Sequence, residues 1–199
     1  MTRPFVVLVV SSPEGLAAFS RRRSLRTGKE RRYSSHCRPE GAVETLPGER
    51  EMSYTSLFYH IVFSTKERRA FLKPELLERV CNYMGGVARD MEGQLVAANG
   101  AADHVHLAAI VHQTVTVADF VKEVKMGGSR WIHETFPRLR DFQWQEGYAA
   151  FTVSKSIVPQ VVKYVRGQKA HHQKATFQEE LIALLERHGV EYDERYLWR

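Results

Sequence analysis

The order in which strand and helix patterns follow one another is the feature that most constrains the fold of this chain. Between Tyr54 and Val153, short runs rich in aromatic and β-branched residues alternate with stretches whose apolar residues recur every three or four positions. The predicted strands are 54–64, 94–99, 104–112 and 147–153, with Trp144 as an alternative start of the last. The first predicted helix runs from Pro74 until Gly93 stops it, and the second is capped by Thr116 or Asp119 and ends before Pro137. The resulting β-α-β-β-α-β order predicts an α+β, ferredoxin-like (split βαβ) antiparallel sheet with helices on one face.

Two further helices are predicted after the last strand. The first spans 156–172, and the second begins at Thr176 and ends at His188, where Gly189 provides a C-terminal stop. The sequence therefore predicts additional C-terminal helices beyond the ferredoxin-like unit.

The first 51 residues differ in character from the rest of the chain. They hold ten of the 29 Lys and Arg residues and six of the 23 Asp and Glu residues, and they show no sustained period of 2 or 3.6. We predict that 1–51 is a disordered basic extension, or that it precedes the true start at Met52, and that 52–199 is the folded domain. Since the domain carries only a small positive excess, charge permits an anionic partner but does not identify nucleic acid.

Composition excludes several classes of protein. No apolar run approaches the roughly 18 to 20 residues that cross a bilayer, which predicts a soluble protein with no membrane partner. The two cysteines, Cys37 and Cys81, are too few for a disulfide scaffold and lack metal-ligand spacing, which favours a reducing, cytoplasmic location. No Gly-rich phosphate loop is present, and therefore no nucleotide cofactor is expected.

The segment DHVHL is the first chemical signal. In a strand, His104 and His106 share one face, while Val105 and Leu107 point to the other. Two imidazoles on one face can bind a divalent ion and leave coordination positions open for substrate oxygens. The same spacing is also typical of two exposed or hydrogen-bonded histidines on an open sheet face.

The second signal lies on the helix predicted over 156–172. Tyr164 and Gln168 are four residues apart and project from the same face, so that a phenolic oxygen and an amide carbonyl lie close together. A tyrosine with a pKa near 10 needs a metal, a cation or a base nearby to act as a nucleophile. The alternative is a tyrosine packed on the sheet beside a solvent-facing glutamine.

These motifs together resemble a known family, the HUH-superfamily single-tyrosine transposases of small bacterial insertion sequences, also called IS200-like transposases. The resemblance runs from about Ser53 to Trp198 and rests on fragments that occur in one order: FYHIVFSTKERR, DHVHL, KMGGSRWIHE, WQEGYAAFTVS, VVKYVRGQKAHH, TFQEEL and GVEYDERYLW. It implies that His104 and His106 are metal ligands, that Gln168 is the third ligand and that Tyr164 is the nucleophile.

The resemblance also implies an activity. Tyr164 would attack single-stranded DNA at hairpin-bearing element ends, form a 5′-phosphotyrosine link and free a 3′-hydroxyl for strand joining. The expected cofactor is Mg²⁺ or Mn²⁺. The family is dimeric, which implies a homodimer whose composite active sites combine the histidine strand of one subunit with the tyrosine helix of the other.

Basic residues supply candidate DNA contacts, although a solvated surface explains such charges equally well. The candidates are Lys66, Arg68 and Arg69 after the first strand and Lys122, Lys125 and Arg130 around the second helix.

Five further side chains have expected roles. Asp103 can hydrogen-bond a ligating histidine or simply end the turn before the strand. We expect His171 and His172 to satisfy helix-terminal carbonyls, and Trp131 and Trp144 to lie in the core.

The sequence as a whole favours a DNA transposase of the single-tyrosine type. A non-catalytic nucleic-acid-binding protein, such as a domesticated transposase, is the main alternative. A relaxase or replication initiator that shares the histidine pair usually has a longer chain.

Overall fold

The computed structural model describes residues 6–7, 54–172 and 176–198, with Val6, Val7 and Tyr196 described by their backbone alone. Five strands form one antiparallel sheet: β1 (Val6–Val7), β2 (Phe58–Ser64), β3 (Gln94–Gly100), β4 (His104–Ile110) and β5 (Ala149–Thr152). The helices are α1 (Pro74–Asp90), α2 (Val117–Thr135), α3 (Val158–Arg166), α4 (Gln168–His171), α5 (Phe177–His188) and α6 (Glu194–Leu197). Two short 3₁₀ turns cover Lys66–Arg68 and Pro137–Leu139.

The sheet has the strand order β1-β5-β2-β4-β3, and every neighbouring pair is antiparallel. Without β1, this is the order that the split βαβ motif requires, which confirms the predicted ferredoxin-like fold. The two-residue strand β1 pairs with Ala150 and Phe151 at the sheet edge. The remainder of the predicted disordered extension lies outside the described residues.

Helices α1 and α2 cover one face of the sheet. Pro74 stands in the first turn of α1, and the Thr116 side chain accepts a hydrogen bond from the Asp119 backbone N–H at the start of α2. Alternate strand residues such as Phe63 and Leu107 pack against these helices, and the core between the two layers is fully buried. Burial of each such large side chain contributes roughly 1.5 to 3 kcal/mol.

The C-terminal helices cover the opposite face, which carries His104 and His106. Helix α3 packs over β3 and β4 through Val165, while α5 packs over β2 and β5 through apolar residues that include Leu185. The alternative of two histidines on an open sheet face therefore does not hold, because α3 and α5 cover that face. Between these two apolar patches lies a strip of polar side chains.

The helix predicted over 156–172 is interrupted. Helix α3 ends at Arg166, Gly167 follows, and α4 is a separate turn. Helix α5 matches its prediction closely, with a capping box between Thr176 and Glu179 and with Gly189 at φ 65°, a left-handed conformation that glycine adopts without steric cost.

None of the helices among the described residues combines the length and the apolar character needed to span a bilayer.

Candidate metal and nucleophile site

Two histidines of β4 form the floor of the site. His104 and His106 are both 0% exposed, and their neighbours Val105 and Leu107 are equally buried on the other face. The predicted alternation of faces is therefore present. The histidine face is covered by protein, so that both imidazoles must find polar partners inside the molecule.

The predicted tyrosine and glutamine meet at one carboxylate. The Tyr164 hydroxyl donates a hydrogen bond to Glu180 Oε1, and Gln168 Nε2 donates to the same oxygen at 3.1 Å. Glu180 projects from α5 and is 4% exposed, while Gln168 is fully buried. The two predicted side chains thus lie together beside the histidine strand of the same chain, although the helix that carries them breaks at Gly167.

Four side chains could hold a cation here. The nearest ligand atoms of His104, His106, His172 and Glu180 all lie within 4.8 Å of one another. Glu180 Oε2 is 3.3 Å from His106 Nε2 and 3.1 Å from His172 Nε2, and His104 Nε2 is 2.8 Å from His172 Nε2. Gln168 Oε1 lies next to the group, 2.7 Å from His172 Nε2.

Two atoms of this group fit a cation in particular. His106 Nε2 and Glu180 Oε2 are buried and have no hydrogen-bond partner among the described residues. A buried polar atom without a partner costs about 1 to 3 kcal/mol, and more when it is charged. A divalent ion between the imidazoles and the carboxylate would remove that cost, so the residues fit a metal.

The charges in the site are set by burial and by mutual contacts. Burial lowers the pKa of His106 to about 4, so that the ring is neutral and can present a lone pair. Burial alone would raise the pKa of the Glu180 carboxyl, but His106, Tyr164 and Gln168 together hold that pKa well below its ordinary range. Burial raises the pKa of Tyr164 most, and the hydrogen bond to the Glu180 carboxylate raises it further. The phenol therefore stays protonated in this arrangement.

Asp103 fixes the orientation of His104. Its Oδ1 lies 2.8 Å from His104 Nδ1, which places the imidazole proton on Nδ1 and aims the Nε2 lone pair at the cluster. Burial would raise the pKa of Asp103, but the hydrogen bond from His104 lowers it overall. Asp103 thus hydrogen-bonds one of the two β4 histidines, and it also stands at the end of the turn that precedes β4.

His60 makes a similar contact with His106. It lies on β2, is 4% exposed and places its Nε2 3.0 Å from His106 Nδ1. The rings stack with centroids 5.2 Å apart and an interplanar angle of 22°. Burial, and then the neighbouring His106, lowers the pKa of His60 to about 3.

A groove connects the cluster with the surface. It encloses about 670 Å³ and is lined by Arg68, Asp103, His172 and the first residues of α5, among others. The groove entrance lies beside the turn after β2, where Glu67 and Arg68 both have positive φ values of 56° and 54°. These non-glycine residues adopt a left-handed conformation that costs about 1 kcal/mol or more each.

The predicted basic residues divide into three groups. Lys66, Arg68 and Arg69 stand in the turn beside the groove; their side chains contact Gln143, the Trp198 ring and Asp141, respectively. Lys122 and Arg130 are exposed on α2, the helix on the opposite side of the sheet.

Lys125 has a different environment. Its ammonium donates to the backbone carbonyl oxygens of Gln145, Glu146 and Gly147, and burial lowers its pKa to about 8. All three donors are used inside the protein. In this arrangement Lys125 holds the segment before β5, and its contact with DNA phosphate stays a prediction.

Sequence reasoning missed two residues of the cluster. His172 was expected to cap a helix end, but its Nε2 faces His104, Gln168 and Glu180, which corrects that expectation. Glu180 was not singled out, because its position within TFQEEL resembles an ordinary acidic first turn. The available signal was its place on the buried face of α5, with Phe177, Leu181 and Leu184.

The fold and the cluster define a class: an α+β protein with a ferredoxin-like sheet, a buried histidine pair on the inner strand β4 and a tyrosine beside that pair. Comparison with known proteins gives the family. The model of the family described as "Transposase IS200 like" matches residues 53–168. The chain belongs to this family, as the motifs predicted. The matched region contains His104, His106, Tyr164 and Gln168 but ends before His172 and Glu180.

Two named relatives agree with the family. The chain is 26% identical over 117 residues to the ISDra2 transposase TnpA of Deinococcus radiodurans, which covers 56% of this chain and 84% of that protein. It is 28% identical over 116 residues to the transposase for insertion sequence element IS200 of Salmonella typhimurium, which covers 55% of this chain and 75% of that protein.

A solved structure of a REP-associated tyrosine transposase bound to a REP hairpin is also similar. It has a TM-score of 0.47 and 14% identity and covers 64% of this chain and 74% of that one.

Proposed function

We propose that this transposase cuts and rejoins single-stranded DNA with Tyr164 as the nucleophile, assisted by a divalent metal ion. One observation carries the proposal, and it concerns the single carboxylate of Glu180. Its Oε1 accepts a hydrogen bond from the Tyr164 hydroxyl, and its Oε2 lies 3.3 Å from His106 Nε2. The candidate nucleophile and the candidate metal ligands are therefore adjacent in one chain. A non-catalytic DNA-binding protein would have no need of this juxtaposition.

The cleavage step uses the tyrosine oxygen and the scissile phosphate. The Tyr164 oxygen forms a bond to phosphorus while the bond from phosphorus to the 3′ oxygen breaks, which gives a 5′-phosphotyrosine link and a free 3′-hydroxyl. Glu180 Oε1 takes the phenolic proton, because it already accepts that hydrogen bond. The leaving 3′ oxygen takes a proton from solvent. In rejoining, a 3′-hydroxyl attacks the phosphotyrosine and restores the tyrosine, so no nucleotide cofactor is consumed.

His104, His106, His172 and Glu180 would hold the metal ion, with Gln168 Oε1 beside them. The bound ion would polarise the scissile phosphate and stabilise charge on its oxygens. Three imidazoles and one carboxylate suit Mn²⁺ better than Mg²⁺, because Mg²⁺ prefers an all-oxygen environment. Of the two ions that the sequence predicted, we therefore propose Mn²⁺.

The DNA would approach through the groove at His172, with Lys66, Arg68 and Arg69 at its entrance as candidate phosphate contacts. Lys122 and Arg130 would contact only DNA that extends around to α2. Because the chain belongs to the IS200-like family, we propose that its DNA substrate is an element end that carries a hairpin.

A homodimer also remains a proposal. Tyr164 lies beside the histidine strand of its own chain here, and we propose a site within one chain as the alternative to the composite sites that the resemblance implies. Mixing Tyr164→Phe protein with His106→Ala protein tests this: no recovery of cleavage supports a site within one chain, and recovery supports a composite one.

Strand cleavage of a labelled single-stranded oligonucleotide from an element end tests the function. We expect metal-dependent cleavage that is lost in excess EDTA and requires less Mn²⁺ than Mg²⁺. Binding without cleavage under every metal condition would support the non-catalytic alternative.

A further inference from the structure

We infer that His60 is a positioning residue for His106: the hydrogen bond between them sets which nitrogen of His106 faces the metal ligands. This inference deepens the proposed function and rests on it for its consequence, which is tighter metal binding. His60 lies in the YHIVF segment of β2. Its ring contacts His106 by a hydrogen bond and by stacking, and it meets the Tyr164 ring edge-on.

The geometry leaves one proton to be shared between the two rings. His60 Nε2 and His106 Nδ1 are 3.0 Å apart, and a hydrogen bond at that distance needs one nitrogen to donate and the other to accept. Both rings are buried, so neither carries a second proton without a large desolvation cost. Two arrangements follow, and they differ in what His106 presents to Glu180.

In the first arrangement, His60 Nε2–H donates to His106 Nδ1. The proton of His106 then lies on Nε2, 3.3 Å from Glu180 Oε2, which suits a cluster without a cation. In the second arrangement, His106 Nδ1–H donates to His60 Nε2. The lone pair of His106 Nε2 then faces the other ligands, as metal binding requires. His60 can serve in both arrangements because imidazole can either donate or accept.

His104 has no such freedom. Asp103 accepts from His104 Nδ1 in either case, so that His104 Nε2 always presents a lone pair. The two ligand histidines of β4 are thus supported differently, one by a carboxylate and one by a second imidazole. Replacing His60 should therefore leave the orientation of His104 unchanged. Only the His106 ring should lose the hydrogen bond that fixes its tautomer.

The experiment compares His60→Leu, which removes the hydrogen bond, with His60→Gln, whose amide can still donate or accept at a similar reach. His133→Leu is the matched control, because His133 Nε2 donates to the Phe142 carbonyl at 2.9 Å on the other side of the sheet. Full-length proteins are titrated with Mn²⁺, and free Mn²⁺ is followed by electron paramagnetic resonance. Long-range ¹H–¹⁵N spectra of the metal-free proteins report the tautomer of His106.

We expect His60→Leu to weaken Mn²⁺ binding by roughly 10- to 100-fold, as loss of a ligand's supporting partner typically does. His60→Gln should recover most of the affinity, and His133→Leu should bind as the wild type does. In the spectra, the wild type should show His106 protonated on Nε2, and His60→Leu should lose that single tautomer.

Wild-type affinity in His60→Leu, or an unchanged His106 tautomer, would overturn the inference. A wild type that binds no Mn²⁺ would refute the metal in the proposed function, while the nitrogen spectra would still decide the role of His60. If His60→Leu does not fold, the nitrogen spectrum of His60→Gln tests the inference instead. His106 must keep a single tautomer in that variant, and a mixture of tautomers would overturn the inference.

Discussion

Glu180 links the two halves of the site at the scale of single residues. Its carboxylate accepts hydrogen bonds from Tyr164 and Gln168. Its oxygens also lie within 3.8 Å of a ring nitrogen in each of four histidines: His104, His106, His171 and His172. The helix that carries Glu180 lies outside the region that the family model matches. The sequence predicted Tyr164, Gln168 and the two histidines of β4 from spacing and motif. It could not predict Glu180 or His172, because their proximity to the histidines depends on how α5 packs across the sheet.

Replacing Glu180 should change the acidity of Tyr164, the proposed nucleophile. In Glu180→Gln the anionic acceptor is gone, and the pKa of Tyr164 should fall towards the ordinary tyrosine value, while burial keeps it somewhat raised. Ultraviolet difference titration of phenolate, with Tyr164→Phe to identify the signal, measures this change. Glu78→Gln on α1 is the control and should leave the titration alone. An unchanged Tyr164 titration in Glu180→Gln would show that the carboxylate does not hold the phenolic proton.

Gln168 was predicted as a third ligand, and its carbonyl oxygen lies at the edge of the cluster. Gln168→Glu places an anionic oxygen there and should preserve or tighten metal binding, whereas Gln168→Leu should require at least several-fold more Mn²⁺ for half-maximal cleavage. The measurement is a metal titration of strand cleavage in the three proteins. Identical titrations would remove Gln168 from the ligand set and leave it as a hydrogen-bond partner of His172 and Glu180.

At the scale of elements, the short hairpin between β3 and β4 positions His104. A Cβ atom at Gly100 would lie 2.1 Å from the His104 carbonyl oxygen, which belongs to the backbone and cannot move without shifting β4. The sequence predicted this hairpin and both flanking strands, because the apolar alternation and the turn residues are local signals. It predicted one helix over 156–172, because the break at Gly167 depends on packing that periodicity does not report.

Gly100→Ala should therefore damage both stability and the site. We expect a loss of about 1 to 3 kcal/mol in the free energy of unfolding, typical of steric overpacking, together with weaker Mn²⁺ binding. Gly86→Ala is the matched control: it lies within α1 with no backbone close by, and it should stabilise the protein by up to about 1 kcal/mol. Chemical denaturation measures both. Equal stabilities for the two variants would show that the hairpin tolerates a side chain at Gly100.

At the scale of the whole molecule, the C-terminal helices bury the histidines on a sheet face that a smaller ferredoxin-like protein would leave open. The C-terminal helices were predicted as elements, but their placement over β4 was not, because amphipathic spacing shows which side of a helix is apolar and not which surface it covers. One consequence is a dependence of stability on pH.

We predict that the metal-free protein loses stability as the pH falls from about 6.5 towards 4. His60 and His106 have folded pKa values of about 3 and about 4, below the unfolded value of 6.5. The unfolded chain therefore binds protons first, and the stability present above pH 6.5 is lost at about 1 kcal/mol per pH unit for each histidine. Denaturation in EDTA across this range measures the slope, which should be smaller in His60→Gln. A flat profile from pH 7 to 5 would contradict the buried neutral histidines.

The covalent link between Tyr164 and DNA tests the central claim most directly. Protein is incubated with Mn²⁺ and a labelled single-stranded oligonucleotide from an element end, denatured in detergent and digested for mass spectrometry. We predict a denaturation-resistant adduct whose phosphate maps to Tyr164, absent in Tyr164→Phe and unchanged in Tyr83→Phe, a change on the opposite side of the sheet. An adduct that persists in Tyr164→Phe, or strand cleavage with no adduct at all, would contradict the account.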